Sequence, residues 1–209
     1  MEDKLIRVMT TNKEIRALAV RSTEVVKKAQ ELQKTTPVST AALGRVLTAN
    51  LLMGSMVKTG EVTSLKVIGD GPLKKIVAEA NQYGNVRGYV ANPRVEYEEN
   101  GKGKLDVASA IGKGQLIVRK RMGLKEPYEG QVPLISGEIG DDLTYYFTKS
   151  EQTPSSVGVG VLIDKDLSVK AAGGFIIQLL PDPSDETIDR LENNLSDIDS
   201  ISHLIDKGV

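Results

Sequence analysis

Beyond Thr63 the apolar residues of this chain recur mostly at every second position, whereas before Gly60 they recur at helical intervals. That change of period constrains the fold more than any other feature. Its clearest stretch is Val157, Val159, Val161 and Ile163, a strict alternation that puts four aliphatic side chains on one face of a strand. Leu65, Val67 and Ile68 form an earlier strand, closed by Gly69-Asp70-Gly71-Pro72. Residues 76–80 and 86–91 flank Gln82-Tyr83-Gly84-Asn85 as a hairpin, and 116–120 and 128–134 flank a turn at Gly123. After the Asp164-Lys165-Asp166 turn come a strand over 167–171 and, past Gly173-Gly174, another over 175–180.

Two helices are expected before the sheet. Thr11 and Glu14 have capping-box spacing, and Ile15, Leu18, Ala19, Val25, Val26, Ala29 and Leu32 follow at near-helical intervals until Thr35-Thr36-Pro37. Ser39 caps a second helix that runs through Leu43, Val46, Leu47, Leu51 and Val57 to Gly60. Its Ala41, Ala42, Gly44, Ala49, Gly54 and Ser55 suit close approach of a neighbour, since each internal Gly costs about 1 kcal/mol relative to Ala. Residues 93–104 read as an exposed loop, 106–111 as a helical turn and 136–150 as a third helix. On that helix Ile139, Leu143, Tyr146 and Phe147 share a face, with Asp141 and Asp142 near the start and Lys149 near the end. The class is α+β: a mostly antiparallel sheet packed with helices.

Residues 182–209 behave differently. Ser184 offers a cap, and Ile188, Leu191, Leu195, Ile198, Ile201, Leu204 and Ile205 form one helical stripe. Between 182 and 199 there are seven Asp or Glu against one Arg. The expected organisation is a core over 1–181 and an amphipathic helical linker over 182–209. The stripe is still periodic at Val209 and reads as incomplete, so it is expected to dock on the core or lead into more chain.

Residue inventory excludes several chemistries. The 209 residues include no Cys, so a disulfide scaffold, a thiol nucleophile and a Cys-ligated metal are ruled out for this chain. His203 is the one His, which argues against a multi-His metal site or a Ser-His-Asp triad. With six Tyr, two Phe and no Trp, the core must be aliphatic. A net charge of −1 gives no electrostatic reason to bind nucleic acid or acidic membrane, and Arg119-Lys120-Arg121 reads as a solvated strand end. No apolar run suits a signal peptide or a membrane span, and the expected location is the cytoplasm. The Gly-rich spots at 69–72, 112–114 and 157–160 lack the spacing of a P-loop or dinucleotide fingerprint. Adjacent Asp141 and Asp142 point about 100° apart on a helix, so helix-start electrostatics accounts for them better than joint acid–base work. The specific local structure is the segment from Tyr145 to Ser155, yet no reaction follows from its residues.

That segment also carries a resemblance. Asp142-Leu143 through Tyr146-Phe147, then Ser150-Glu151-Gln152 with Pro154-Ser155, resembles the heat shock protein 33 family, the redox-regulated bacterial holdases. Further matching pieces are Ile68-Gly69 with Gly71-Pro72, Gly84-Asn85-Val86-Arg87-Gly88-Tyr89, Gly112, Gly114 and Leu116, and Tyr128, Gly130, Val132 and Leu134 before Gly137-Glu138-Ile139. Ala172-Gly173-Gly174-Phe175 and Gln178-Leu179-Leu180-Pro181 close the match, which spans roughly 4–181 in order.

The resemblance implies a substrate-binding core, a helical linker and a C-terminal switch that holds zinc through four cysteines. Oxidation there expels the metal, forms disulfides, unfolds switch and linker, and bares apolar surface that captures unfolding proteins. It also implies a dimer, domain swapping being one form of it, and no catalysis. This chain departs by having no Cys, so no zinc or redox residue is carried over and no cofactor is expected within it. The expected activity is ATP-independent capture of unfolded or misfolded clients, without nucleic acid or membrane as partner. Candidate client-binding residues are Ile188, Leu191, Leu195, Ile198, Ile201 and Leu204, and Ser150, Glu151, Gln152 and Pro154 are expected to be structural. Two alternatives are a small-ligand enzyme using Asp70 or Asp142, and a passive self-association domain.

Overall fold

The computed structural model describes residues 2–96, 105–121, 123, 126–198 and 200–208. Two antiparallel sheets sandwich one buried helix. The first sheet has strand order β1-β2-β9-β8, from β1 (Lys4–Met9), β2 (Ile15–Arg21), β8 (Ser155–Ile163) and β9 (Val169–Leu179). The second has order β5-β4-β3-β6-β7, from β3 (Val62–Gly69), β4 (Lys75–Asn81), β5 (Val86–Val90), β6 (Gly114–Arg121) and β7 (Tyr128–Pro133). The α+β class stands, with two sheets in place of one.

The buried helix is α2 (Pro37–Gly54). Sixteen of its eighteen residues are buried, and it packs against strands of both sheets, which is what an apolar helix without a polar face must do. Its small residues serve sheets and helix alike. A Cβ on Gly44 would lie 2.7 Å from Val26 Cγ1 and 2.8 Å from Val161 Cγ2, and one on Gly54 would lie 2.7 Å from Ala80 Cβ. The helix stops at Gly54, short of the Gly60 expected from its periodicity.

The helix expected from Thr11 to Leu32 is corrected. Residues 4–21 form the β1–β2 hairpin, turned at Lys13 (φ 60°), and only Thr23–Gln33 is helical, as α1. Ile15-Arg16-Ala17-Leu18-Ala19-Val20-Arg21 satisfies both periods. Pairing with β1 on one side and β9 on the other decides for strand, burying Leu18 and Val20. The start of α1 is satisfied from a distance: the Asp3 carboxylate accepts the Glu24 and Val25 N–H groups at 3.1 and 2.9 Å.

A second correction concerns Gly173-Gly174, which break nothing, since β9 runs straight through them. The turn at 106–111 is α3 (Val107–Ile111), capped by Asp106, and the third expected helix is α4 (Ile139–Lys149). The loop expected over 93–104 lies, for its 97–104 part, outside the described residues. The linker stripe is divided between α5 (Asp185–Ser196) and α6 (Ile201–Asp206).

Candidate functional site

The linker returns over the outer face of the first sheet, away from α2. In the β8–β9 register Gly158 faces Phe175 and Gly160 faces Gly173, so these residues share that face. The next partners across, Ala19 and Ile6, continue it to β1, where Ile6 and Val8 are 55% and 56% exposed.

Three glycines form the floor for α6. A Cβ on Gly158 would lie 3.1 Å from Ile201 Cγ1, one on Gly160 2.9 Å from Ser202 N, and one on Gly173 2.2 Å from Ile205 Cδ1. The helix therefore approaches closer than side chains would allow, and Ile205 is left 7% exposed. Lys170 on β9 holds the far end of α6 through an ion pair with Asp206 at 2.8 Å. Lys170 is raised by its hydrogen bond to, and the charge of, Asp206.

The near end of the linker is held by Glu14. Its carboxylate accepts hydrogen bonds from the Ser184 hydroxyl at 3.0 Å, from Thr187 Oγ1, and from Asn12 Nδ2 at 2.8 Å, while its backbone carbonyl accepts the Leu180 N–H. Ser184 caps α5 by accepting the Thr187 N–H. The Thr187 bond, chiefly, holds the Glu14 carboxyl below its ordinary value. The spacing that suggested a cap over Thr11 thus identifies a carboxylate committed to another helix.

Of the predicted stripe, Ile188, Leu191 and Leu195 are half-buried on α5, Ile198 is half-buried between the helices, and Ile201 and Leu204 are half-buried on α6. The structure brings Ile201 onto the glycine floor with Ile205; α5 has no fully buried residue. The sequence pattern located the stripe but missed its floor. The available signal was Gly158 and Gly160 at alternate positions on one strand.

The motif residues meet elsewhere, at the junction of α4 with both sheets. Glu151 Oε1 accepts from Lys120 Nζ of β6 and from the Tyr146 hydroxyl at 2.9 Å. Burial, then the Glu151 charge, pushes the Tyr146 hydroxyl above its ordinary value. Ser150 Oγ lies 3.1 Å from the Tyr128 hydroxyl of β7, Gln152 takes the left-handed conformation (φ 51°), and the Pro154 carbonyl accepts the Leu179 N–H of β9. These are joints between elements.

Asp70 and Asp142 do not form a site. Asp70 Oδ1 accepts the Lys113 N–H at 2.8 Å in the turn before β6. Asp142 lies in the first turn of α4, as expected, and is 0% exposed there: its Oδ1 accepts the Ile135 and Ser136 N–H groups at 2.7 and 3.1 Å. Burial, the largest cause, raises its carboxyl above the ordinary range. Among the described residues no three His, Cys, Asp or Glu are gathered as a metal site would require, and no helix is long and apolar enough to cross a membrane.

Comparison with known proteins decides what this scaffold is. The family model described as Hsp33 protein matches residues 3–208. The chain belongs to the Hsp33 family. It is 51% identical to the 33 kDa chaperonin of Geobacillus kaustophilus over 210 aligned residues, covering all of this chain and 71% of that protein. It is 49% identical to the 33 kDa chaperonin of Bacillus subtilis, covering 99% and 72%. The crystal structure of the Thermotoga maritima Hsp33 homologue superposes with a TM-score of 0.92 at 42% identity, covering 96% of this chain and 69% of that one. Hsp33 membership carries a chaperone function, and nothing in the geometry favours the enzyme or passive-domain alternatives. The zinc implied by the resemblance needs thiolates; a chain without Cys does not fit it, and no step here runs through a metal.

Proposed function

We propose that this Hsp33-family chain is an ATP-independent holdase core that captures unfolding polypeptides on apolar surface and so prevents their aggregation. The observation that carries this reading is the seating of α6 on the glycine floor of the outer sheet face. A six-residue helix packed on β8 and β9 and held at its end by one ion pair is an element that opens locally at small cost. Its release bares Ile201, Leu204 and Ile205 together with the sheet face around Phe175, and parting of α5 from Glu14 adds Ile188, Leu191 and Leu195; large apolar patches are how a protein binds non-native chains. Residues 1–181 act as the client-binding core and 182–209 as the linker, working as a cytoplasmic homodimer without catalysis, cofactor, nucleic acid or membrane.

The test is light scattering from a thermally unfolding client, titrated with this chain under reducing conditions. Suppression near stoichiometric amounts is expected, with no gain on adding oxidant. A folded chain that leaves the scattering unchanged overturns the reading. Sedimentation velocity tests the homodimer, which a monomer at micromolar concentration overturns.

A further inference from the structure

An open concavity lies along the free border of β8. Strand order leaves β8 unpaired on one side, and an open groove of about 1160 Å³ runs along it. Which backbone groups face that groove is settled by the pairing. The Pro154 carbonyl bonds to Leu179 of β9, so even-numbered residues exchange hydrogen bonds with β9 and odd-numbered ones point outward. Val157 agrees: its N–H donates outward to Thr144 Oγ1 of α4 at 3.1 Å. From Val159 onward α4 no longer covers the edge. Val159 and Val161 therefore turn their N–H and C=O groups into the groove, with no hydrogen-bond partner among the described residues.

Beyond β8 the apolar lining is Val38 and Ala41 of α2, both almost wholly buried, with Val95 and the half-buried Leu105. The charged lining is Glu96, Glu138, Asp141 and Asp164 against Arg45 and Lys165, and Arg45 is already paired with Glu138. An exposed strand edge bordering an open groove of mixed lining matches one kind of ligand, an extended backbone. A docked helix has its backbone bonds made internally and would leave the edge groups unmet.

We propose that this groove takes an extended aliphatic segment of an unfolding polypeptide as an added strand of the first sheet, paired to Val159 and Val161. Basic residues flank that segment and meet the surplus carboxylates. The proposal rests on the holdase reading and names its substrate class. Ser200, Ile201, Ser202 and His203 at the start of α6 line one end of the groove, which is open while α6 is seated, whereas the outer face needs release of the linker.

The experiment titrates the whole chain with a fluorescent peptide of about nine residues, valine and threonine alternating between lysine pairs, a length matched to the strand. Two twins carry N-methyl groups on alternate amides, one on each edge of the peptide. One twin is expected to lose about tenfold or more in affinity and the other less than about threefold, because only one edge pairs and each lost hydrogen bond is worth a modest factor. A twin with glutamates in place of the lysines is expected to bind more weakly, the more so at low salt. Val159→Pro, which removes an outward N–H that makes no internal bond, is expected to lose binding of the unmodified peptide. Equal affinity of the two methylated twins, or a groove closed by a second copy in sedimentation with no peptide bound, overturns the proposal. Client scattering measured in parallel keeps the two readings apart: suppression with indifferent twins sinks the groove alone, and absent suppression sinks the holdase reading while the twins still decide the groove.

Discussion

Ile205 rests directly on Gly173: a Cβ on that glycine would lie 2.2 Å from the isoleucine Cδ1. Sheet and linker are therefore fitted to one another at backbone distance. The fit is also the weak point, because any side chain on the floor must lift α6. Gly173 is a poor place to test this, since its Cβ would also lie 2.5 Å from the Val20 carbonyl within the sheet.

Gly160 separates the two effects. Every atom its Cβ would crowd, Ser202 N at 2.9 Å and Ser202 Cβ at 3.1 Å among them, belongs to the linker. Gly160→Ala is expected to weaken docking of α6 by about 1–3 kcal/mol, the usual cost of overpacking, while leaving the sheet intact. Hydrogen exchange should accelerate over 201–206 and stay unchanged over β2 and β9, and client protection should rise. Unchanged exchange in α6 would remove the glycine floor from the account.

Glu14 gives the other end of the linker a pH dependence. Its carboxyl lies below its ordinary value of 4.5 in the folded chain, through Thr187 first and Ser184 next. A depressed acid contributes stability that is present above 4.5 and is lost as pH falls through the lower folded value. Exchange protection of α5 is expected to hold from neutral pH down to that range and then fade, and Glu14→Gln should flatten this local dependence. A profile for α5 that is identical in wild type and variant would rule out Glu14 as the clasp.

Much of this was legible in the sequence, for identifiable reasons. The strict alternation at Val157 to Ile163 and the hairpin at 82–85 stand as strands because burial of one face reinforces local preference. Residues 15–21 went to strand because β9 supplies a partner that no local signal announces. Ala171 and Phe175 belong to one strand, β9, and Gly173 within it serves approach of α6, where sequence alone suggested a break. The stripe was visible as periodicity; its floor, its two clasps and the open edge of β8 exist only once strands far apart in sequence are neighbours.

Asp142 makes an opposite prediction about acid. Burial raises its carboxyl, so the folded state binds its proton more readily than the unfolded one. Stability then increases as pH falls through the folded value toward 3.8. Asp142→Asn keeps an acceptor for the Ile135 and Ser136 N–H groups and is expected to change stability by less than about 1 kcal/mol while abolishing this contribution. Asp142→Ala strands both donors and is expected to cost about 2–3 kcal/mol. Urea unfolding from pH 4 to 7 checks both; client protection by the Asn variant should match wild type, whereas lost protection in a fully folded Asn variant would give this carboxylate a functional role.

Glu151 is where the motif region joins the two sheets, and its removal tests whether that junction is structural. The carboxylate serves Lys120 of β6 and the buried Tyr146 hydroxyl of α4 with one oxygen. Glu151→Ala leaves a largely buried ammonium and a buried phenol without their acceptor, an expected loss of about 2–4 kcal/mol. Glu151→Gln retains an oxygen for the phenol and drops the charge, so it should lie between. If the junction is structural, urea midpoints fall in that order with unchanged slopes, and the surviving folded fraction of each variant protects clients as well as wild type. Loss of protection without loss of stability would instead place the client contact at Glu151 itself, and would move the working surface of this Hsp33 chain from the linker face to the α4 junction.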